Sequence, residues 1–185
     1  MRWDELFRDL EAQLEAAGAA ELDAEVADRT RREGAGLSLV DRARAAVGQR
    51  VAARVLGAGA VEGVLRDVGS QWLLLTEDGG GDAVLPLPAL LSLTGLTRWT
   101  GVPGSGGEVF ARLGLASALR GIARDRAAVS VCLVDGSVLT GTLDRVGADF
   151  VELSAHGPGE PRRRDDVTAV RTVPFGALAL VRSRP

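Results

Sequence analysis

The stretch GTLDRVGADFVEL, residues 141–153, decides the reading of this chain, because GVLRDVGSQWLLL, residues 63–75, runs to the same pattern. At a constant offset of 78 residues, Gly63 meets Gly141, Leu65 meets Leu143, Val68 meets Val146, Gly69 meets Gly147, Trp72 meets Phe150 and Leu75 meets Leu153. Each copy reads as two short strands around a tight turn. With ten extra residues allowed before the fourth strand of the second copy, Pro86 meets Pro174, Leu87 meets Phe175, Ala89 meets Ala177 and Leu90 meets Leu178. The extra residues fall in the loop HGPGEPRRRDD, 156–166.

The surroundings of the two phrases agree. From Arg50 onward the apolar period is two, in VAARVL (51–56), VEGVLRDV (61–68), QWLLLTE (71–77) and DAVLPLPALLSL (82–93), separated by glycine-rich turns. Such spacing is that of a small barrel or sandwich. TGVPGSGGE, 100–108, breaks the pattern as a linker. Residues 109–126 then read as a helix despite Gly114 and Gly121. After it strands return in AVSVCLV (128–134), a DGS turn, VLTGTLDRV (138–146), DFVELSA (149–155), VTAVRTV (167–173) and FGALALVRS (175–183). The sequence thus predicts one helix and about five strands, stated twice.

Ahead of this lies an acidic helical region, 1–37. Trp3, Leu6, Phe7, Leu10 and Leu14 recur at i, i+3, i+4, i+7 and i+11, one stripe of an amphipathic helix ending near Gly18. Residues 20–33 place acids first and arginines last, in the sense that suits the helix dipole. With only Leu22 and Val26 large and apolar, this second helix is expected to be mostly solvated. A third begins at Ser38 and stops at Gly48.

Composition narrows the function. The 185 residues carry 46% hydrophobic content, enough for a core, and a formal charge of -3, with no whole-chain basic field. The basic residues are all arginine, and lysine, asparagine and tyrosine are absent, as a GC-rich coding sequence would give. Residues 1–47 hold 7 Arg against 11 Asp or Glu, 48–107 hold 4 against 5, and 108–185 hold 11 against 9. An anionic partner would therefore meet the C-terminal part. A single cysteine, Cys132, and a single histidine, His156, cannot form a disulfide framework or a common Cys/His zinc site. The charged N-terminus has no signal-peptide core, and AVLPLPALLSLTGL is too short and proline-broken to span a bilayer. A cytoplasmic protein without membrane association is expected.

The hairpin VSVCLVDGSVLTGTLDRVGADFVEL, 129–153, resembles the first motif of the Sm-like proteins: alternating apolar residues, an Asp-Gly turn, a central glycine and a third strand opening with Asp and an aromatic residue. VPFGALALV, 173–181, stands where the second motif would be. The resemblance covers about residues 38–95 and 109–183. It implies an α+β, mainly β fold of two tandem five-stranded Sm-like or SH3-like barrels, each preceded by a helix, with domains at 38–99 and 109–185 joined by the linker 100–108. It also implies association with single-stranded RNA and self-association through barrel edge strands. The family reads uridine-rich RNA with an Asn in its first motif and an Arg-Gly pair in its second; this chain has no Asn, and LPL or VPF stands near the Arg-Gly position.

The candidate nucleic-acid contacts are Arg162, Arg163 and Arg164, with Arg145 and Arg171 in the flanking strands. Guanidinium groups pair bidentately with phosphate; equally, Glu160, Asp165 and Asp166 supply counter-charges for a solvated loop. Trp72 and Phe150 are read as packing residues in preference to stacking platforms, and Trp99 as a contact between the halves. Cys132 is read as buried packing in preference to a nucleophile. GVPGSGG lacks the Gly-Lys-Ser/Thr ending of a phosphate-binding loop. No catalytic constellation and no cofactor are expected. The stripe Trp3, Leu6, Phe7, Leu10 and Leu14 either folds back over a barrel or docks a protein partner.

Overall fold

The computed structural model describes residues 34–97, 113–155 and 169–183, with residues 8, 18, 21, 22, 24–29 and 31 of the N-terminal region. The chain divides into two compact units, Met1–Ser38 and Leu39–Pro185. Residues 24–29 of the first unit are helical. Leu22 and Val26 are 64% and 63% exposed, in keeping with a solvated helix. The stripe from Trp3 to Leu14 lies outside the described residues.

The second unit opens with α1 (Leu39–Arg44) and runs through β1 (Arg50–Val55), β2 (Gly59–Val68), β3 (Trp72–Glu77), β4 (Asp82–Pro86) and β5 (Leu90–Thr94). Beyond residues 98–112 follow α2 (Leu115–Asp125), β6 (Ala128–Leu133), β7 (Val138–Val146), β8 (Phe150–Ala155), β9 (Ala169–Pro174) and β10 (Leu178–Ser183). Short 3-10 turns, Leu87–Ala89 and Phe175–Ala177, join β4 to β5 and β9 to β10. The helix expected to run to Gly48 gives way to turns after Arg44. There Gly48, at φ 86°, donates its N–H to the Leu65 carbonyl at 2.7 Å.

The ten described strands form one antiparallel sheet in the order β5-β1-β2-β3-β4-β10-β6-β7-β8-β9. This is a mainly β, α+β architecture, and the sheet is open, with β5 and β9 at its ends. Its two sets of five strands have the same internal order. Their details also correspond: Gly69 N–H bonds the Trp72 carbonyl and Gly147 N–H the Phe150 carbonyl, both at 2.9 Å. Likewise Leu56 N–H reaches the Ala89 carbonyl at 2.8 Å and Val134 N–H the Ala177 carbonyl at 3.0 Å.

The long strands β2 and β7 explain the central glycines. Each pairs with one neighbour through its first half and with another through its second, and the two pairings overlap at Gly63 and Gly141. A Cβ at Gly63 would overlap the Thr76 carbonyl oxygen, and one at Gly141 the Ser154 carbonyl oxygen. The crossing backbones come so close that only glycine fits. Just beyond, register shifts at Leu65/Asp67 and Leu143/Arg145 add a residue to the bent strand, which sharpens the turn of the sheet.

Two apolar cores result. The first holds Val51, Val61, Leu65, Leu73, Leu75 and Leu85, but also Cys132, Ala179 and Leu180 from the second half. The second holds Leu115, Leu119, Val129, Leu143, Leu153 and Val181, but also Trp72 and Val84 from the first. Strands β4 and β10 are thus buried on both faces, with Leu85 and Leu180 turned to one core and Val84 and Val181 to the other. A strand buried on both faces reads as a continuous apolar run, which is what AVLP and LALV are.

Candidate interaction surfaces

The joint between the halves is an ordinary ladder: Val181 lies opposite Val84 and Arg182 opposite Ala83. Side chains reinforce it. Arg182 grips Glu77 with two hydrogen bonds, Nε to Oε2 at 2.8 Å and Nη2 to Oε1 at 3.0 Å. This fork-to-fork, half-buried geometry is the strong form of an ion pair. The Asp82 N–H donates to Ser183 Oγ at 3.3 Å. On the α2 side, Trp72 is 6% exposed and its Nε1–H donates to the Leu113 carbonyl at 3.0 Å. Gln71 Oε1 accepts the Leu115 N–H at 3.3 Å, satisfying a donor at the start of α2. Trp72 is therefore a packing residue, as the sequence suggested, and it packs between the halves, the place expected for Trp99. Phe150 at the matching position is half-buried; its ring has no N–H to give, and Ala148 and Asp149 stand beside it where Ser70 and Gln71 stand in the first half.

Among the described residues, the matching strands at the two ends of the sheet are paired on one side only, β5 with β1 and β9 with β8. On β5, Leu91 is 61% exposed, and on β9, Val170 is 60% exposed. These edges are the open counterparts of β10 and β4.

Candidate nucleic-acid contacts are only partly within view. Arg162, Arg163 and Arg164 lie outside the described residues, as do His156 and Trp99. Arg145 on β7 and Arg171 on β9 are both exposed. Arg145 stands opposite Glu152 and Arg171 opposite Leu153, so alternation along β8 directs them to opposite faces of the sheet. They do not form one patch. Three arginines the sequence reading passed over lie on or beside α2: Arg120, whose Nη2 donates to the Gly147 carbonyl at 3.3 Å, Arg124, and Arg126 at φ 51°. Arg124 and Arg126 line a hollow with Leu143 and Asp144. The signal was available as Arg120 and Arg124, one helical turn apart.

A second concavity is apolar. Trp72, Leu74, Val84, Ala118 and Ile122 line a groove of about 310 Å³ between α2 and the sheet, with Gly121, Asp125, Asp82 and Ser183 at its rim. Among the described residues, no group of three or more His, Cys, Asp or Glu side chains could hold a metal ion, and no helix is long and apolar enough to cross a membrane.

The two hydrogen bonds from Arg50, both at 2.6 Å, hold the Asp78 carboxyl below its ordinary range. The Ser137 hydroxyl and N–H do the same for Asp135 in the Asp-Gly turn. Lowered carboxylates stabilise the fold above the unfolded value, about 3.9, and that contribution is lost as pH falls through their folded values. Both sit on the surface, so the effect is small.

Burial pushes the Cys132 thiol up. A raised thiol contributes stability below its unfolded value, about 8.5, lost as pH rises through the folded value. Cys132 is 7% exposed within the first core. A thiol reagent such as DTNB should therefore label the folded protein slowly at neutral pH and the denatured protein at once. Immediate labelling of the native state would contradict this burial.

No protein-family model matches the chain, and comparison with the curated proteins gives no match.

Proposed function

We propose that this protein is a non-enzymatic assembly protein, built of two Sm-like halves, that joins to further copies of itself through the ends of its sheet. The observation that carries the reading is the β4–β10 ladder. One half already accepts the other there, edge to edge, and β9 and β5 offer the same two edges to a neighbouring molecule. Applying the internal register through the offset of 88 residues that relates β4 to β9 and β5 to β10 sets Thr172 opposite Leu93 and Arg171 opposite Thr94. Unpaired strand edges of this kind invite pairing, and a head-to-tail joint closes into a ring or grows into a filament. The external joint lacks the Trp72 hydrogen bond and the Glu77–Arg182 pair, since Phe150, Ala155 and Thr94 hold the matching positions. Assembly is therefore weaker than the internal joint and reversible.

Light scattering across a concentration series tests this. The mass should climb in multiples of the 19.3 kDa chain, and Leu91→Lys combined with Val170→Lys, placing like charges on both edges, should return it to a monomer. A mass fixed at one chain at every concentration would overturn the reading.

Association with single-stranded RNA is the second reading. It is favoured by the Sm-like hairpin, by the arginine excess of residues 108–185 and by the exposed arginines of α2. In the same scattering experiment an added oligonucleotide should bind in a salt-sensitive way, and less so when Arg162, Arg163 and Arg164 are replaced. A partner docked on Trp3, Leu6, Phe7, Leu10 and Leu14 belongs to the same family of adaptor roles; deleting residues 1–17 should remove it.

A further inference from the structure

The groove beside α2 has a chemistry that neither assembly nor RNA binding uses. Its floor is apolar, formed by Trp72, Leu74, Val84 and Ile122, and its rim bears two carboxylates, Asp82 on the sheet and Asp125 on the helix. No arginine lines it among the described residues. Asp82 and Asp125 are both exposed, Asp82 taking the Thr76 hydroxyl at 2.7 Å. Such a rim repels a phosphate backbone and attracts a cation.

One wall carries an oddity. Gly121 sits inside α2, where glycine costs the helix up to about 1 kcal/mol relative to alanine. Its conformation does not require glycine, because it is helical with negative φ. Nor does packing, because a Cβ there would meet nothing within 4 Å. The helix gives up stability at the position where the groove opens, and what it gains is room for an occupant to approach the helix backbone.

We infer that this groove binds a peptide segment in which one large apolar side chain stands next to arginine or lysine. The apolar side chain fills the floor, whose volume suits a single leucine or aromatic residue, and the cation meets Asp82 or Asp125 at the rim. Charge complementarity singles out this class of ligand: an apolar peptide would leave the carboxylates unused, and a nucleic acid would face them.

Fluorescence anisotropy on the full chain decides the matter, with a labelled peptide carrying a leucine between two arginines as probe. Saturable binding is expected, weakened about tenfold or more when the leucine becomes alanine, the loss expected for one buried aliphatic side chain. Glutamine in place of the arginines, or Asp125→Asn in the protein, should weaken it further and flatten its salt dependence. Gly121→Met should abolish binding while leaving the melting temperature intact or raised, since the side chain enters open space on a helix it favours. Absence of binding, equal binding of the alanine peptide, unchanged binding by the methionine variant, or displacement by a single-stranded oligonucleotide would each overturn the inference.

Discussion

Replacing Gly141 by alanine should destabilise the whole of the second unit by about 3 kcal/mol, the upper end of what overpacking usually costs. The added methyl group would overlap the Ser154 carbonyl oxygen, with the Ala155 Cα close behind. Both obstacles are backbone atoms of a paired strand, so neither can swing aside. Relief requires β7 and β8 to separate where Gly141 faces Ala155. For a unit of this size, 3 kcal/mol lowers the melting temperature by roughly 6–12 °C. Gly63→Ala should cost about as much, because Thr76 and Glu77 obstruct it in the same way. Gly79→Ala is the control: its Cβ would meet nothing within 4 Å and should leave stability nearly unchanged. Thermal unfolding followed by circular dichroism reads all three, and a tolerated Gly141→Ala would mean that the strands do not cross as closely as described.

Leu180→Ala should cost about 2–5 kcal/mol, as deletion of a fully buried leucine usually does. The informative part is where the cost falls. Leu180 belongs to β10 but fills the first core, beside Ala179 and Cys132. Its neighbour Val181 fills the second. Truncating either residue should therefore shift one and the same unfolding transition, seen as a lower denaturant midpoint with an unchanged slope. If Leu180→Ala split the curve in two, the halves would be folding separately and the shared strand would be of little account.

Much of this architecture was legible in the chain. Trp72 and Phe150, aligned on sequence, open β3 and β8; Pro86 and Pro174 close β4 and β9 and lead into equivalent 3-10 turns. These features are local, fixed by turn chemistry and by alternation, and such signals survive in a linear text. The β4–β10 ladder was not legible as a pairing, because it joins residues about a hundred positions apart by shape. It left a trace only in composition, where AVLP and LALV lose the alternation of strands with one wet face. The groove was hidden for a related reason. Asp82, Gly121 and Asp125 acquire meaning together only once α2 lies across the sheet. Gly121 alone was visible, as a glycine in a helical stretch without an assigned purpose. The arginine triplet 162–164 shows the opposite case: conspicuous in sequence, it lies outside the described residues.

The position of β10 has a consequence for how the molecule comes into being. A ribosome releases the first half with Leu85 and Leu75 already made, yet Leu180, which closes their core, is separated from Leu85 by five further strands and a helix. The nascent first half must wait, with the edge of β4 unmet, while β6 to β9 are synthesised. During that interval a β10 from a neighbouring chain on the same message could take the vacant place. Completion of each copy is thereby tied to the supply of its own β10, and a slow or crowded synthesis would favour exchanged dimers over self-contained molecules.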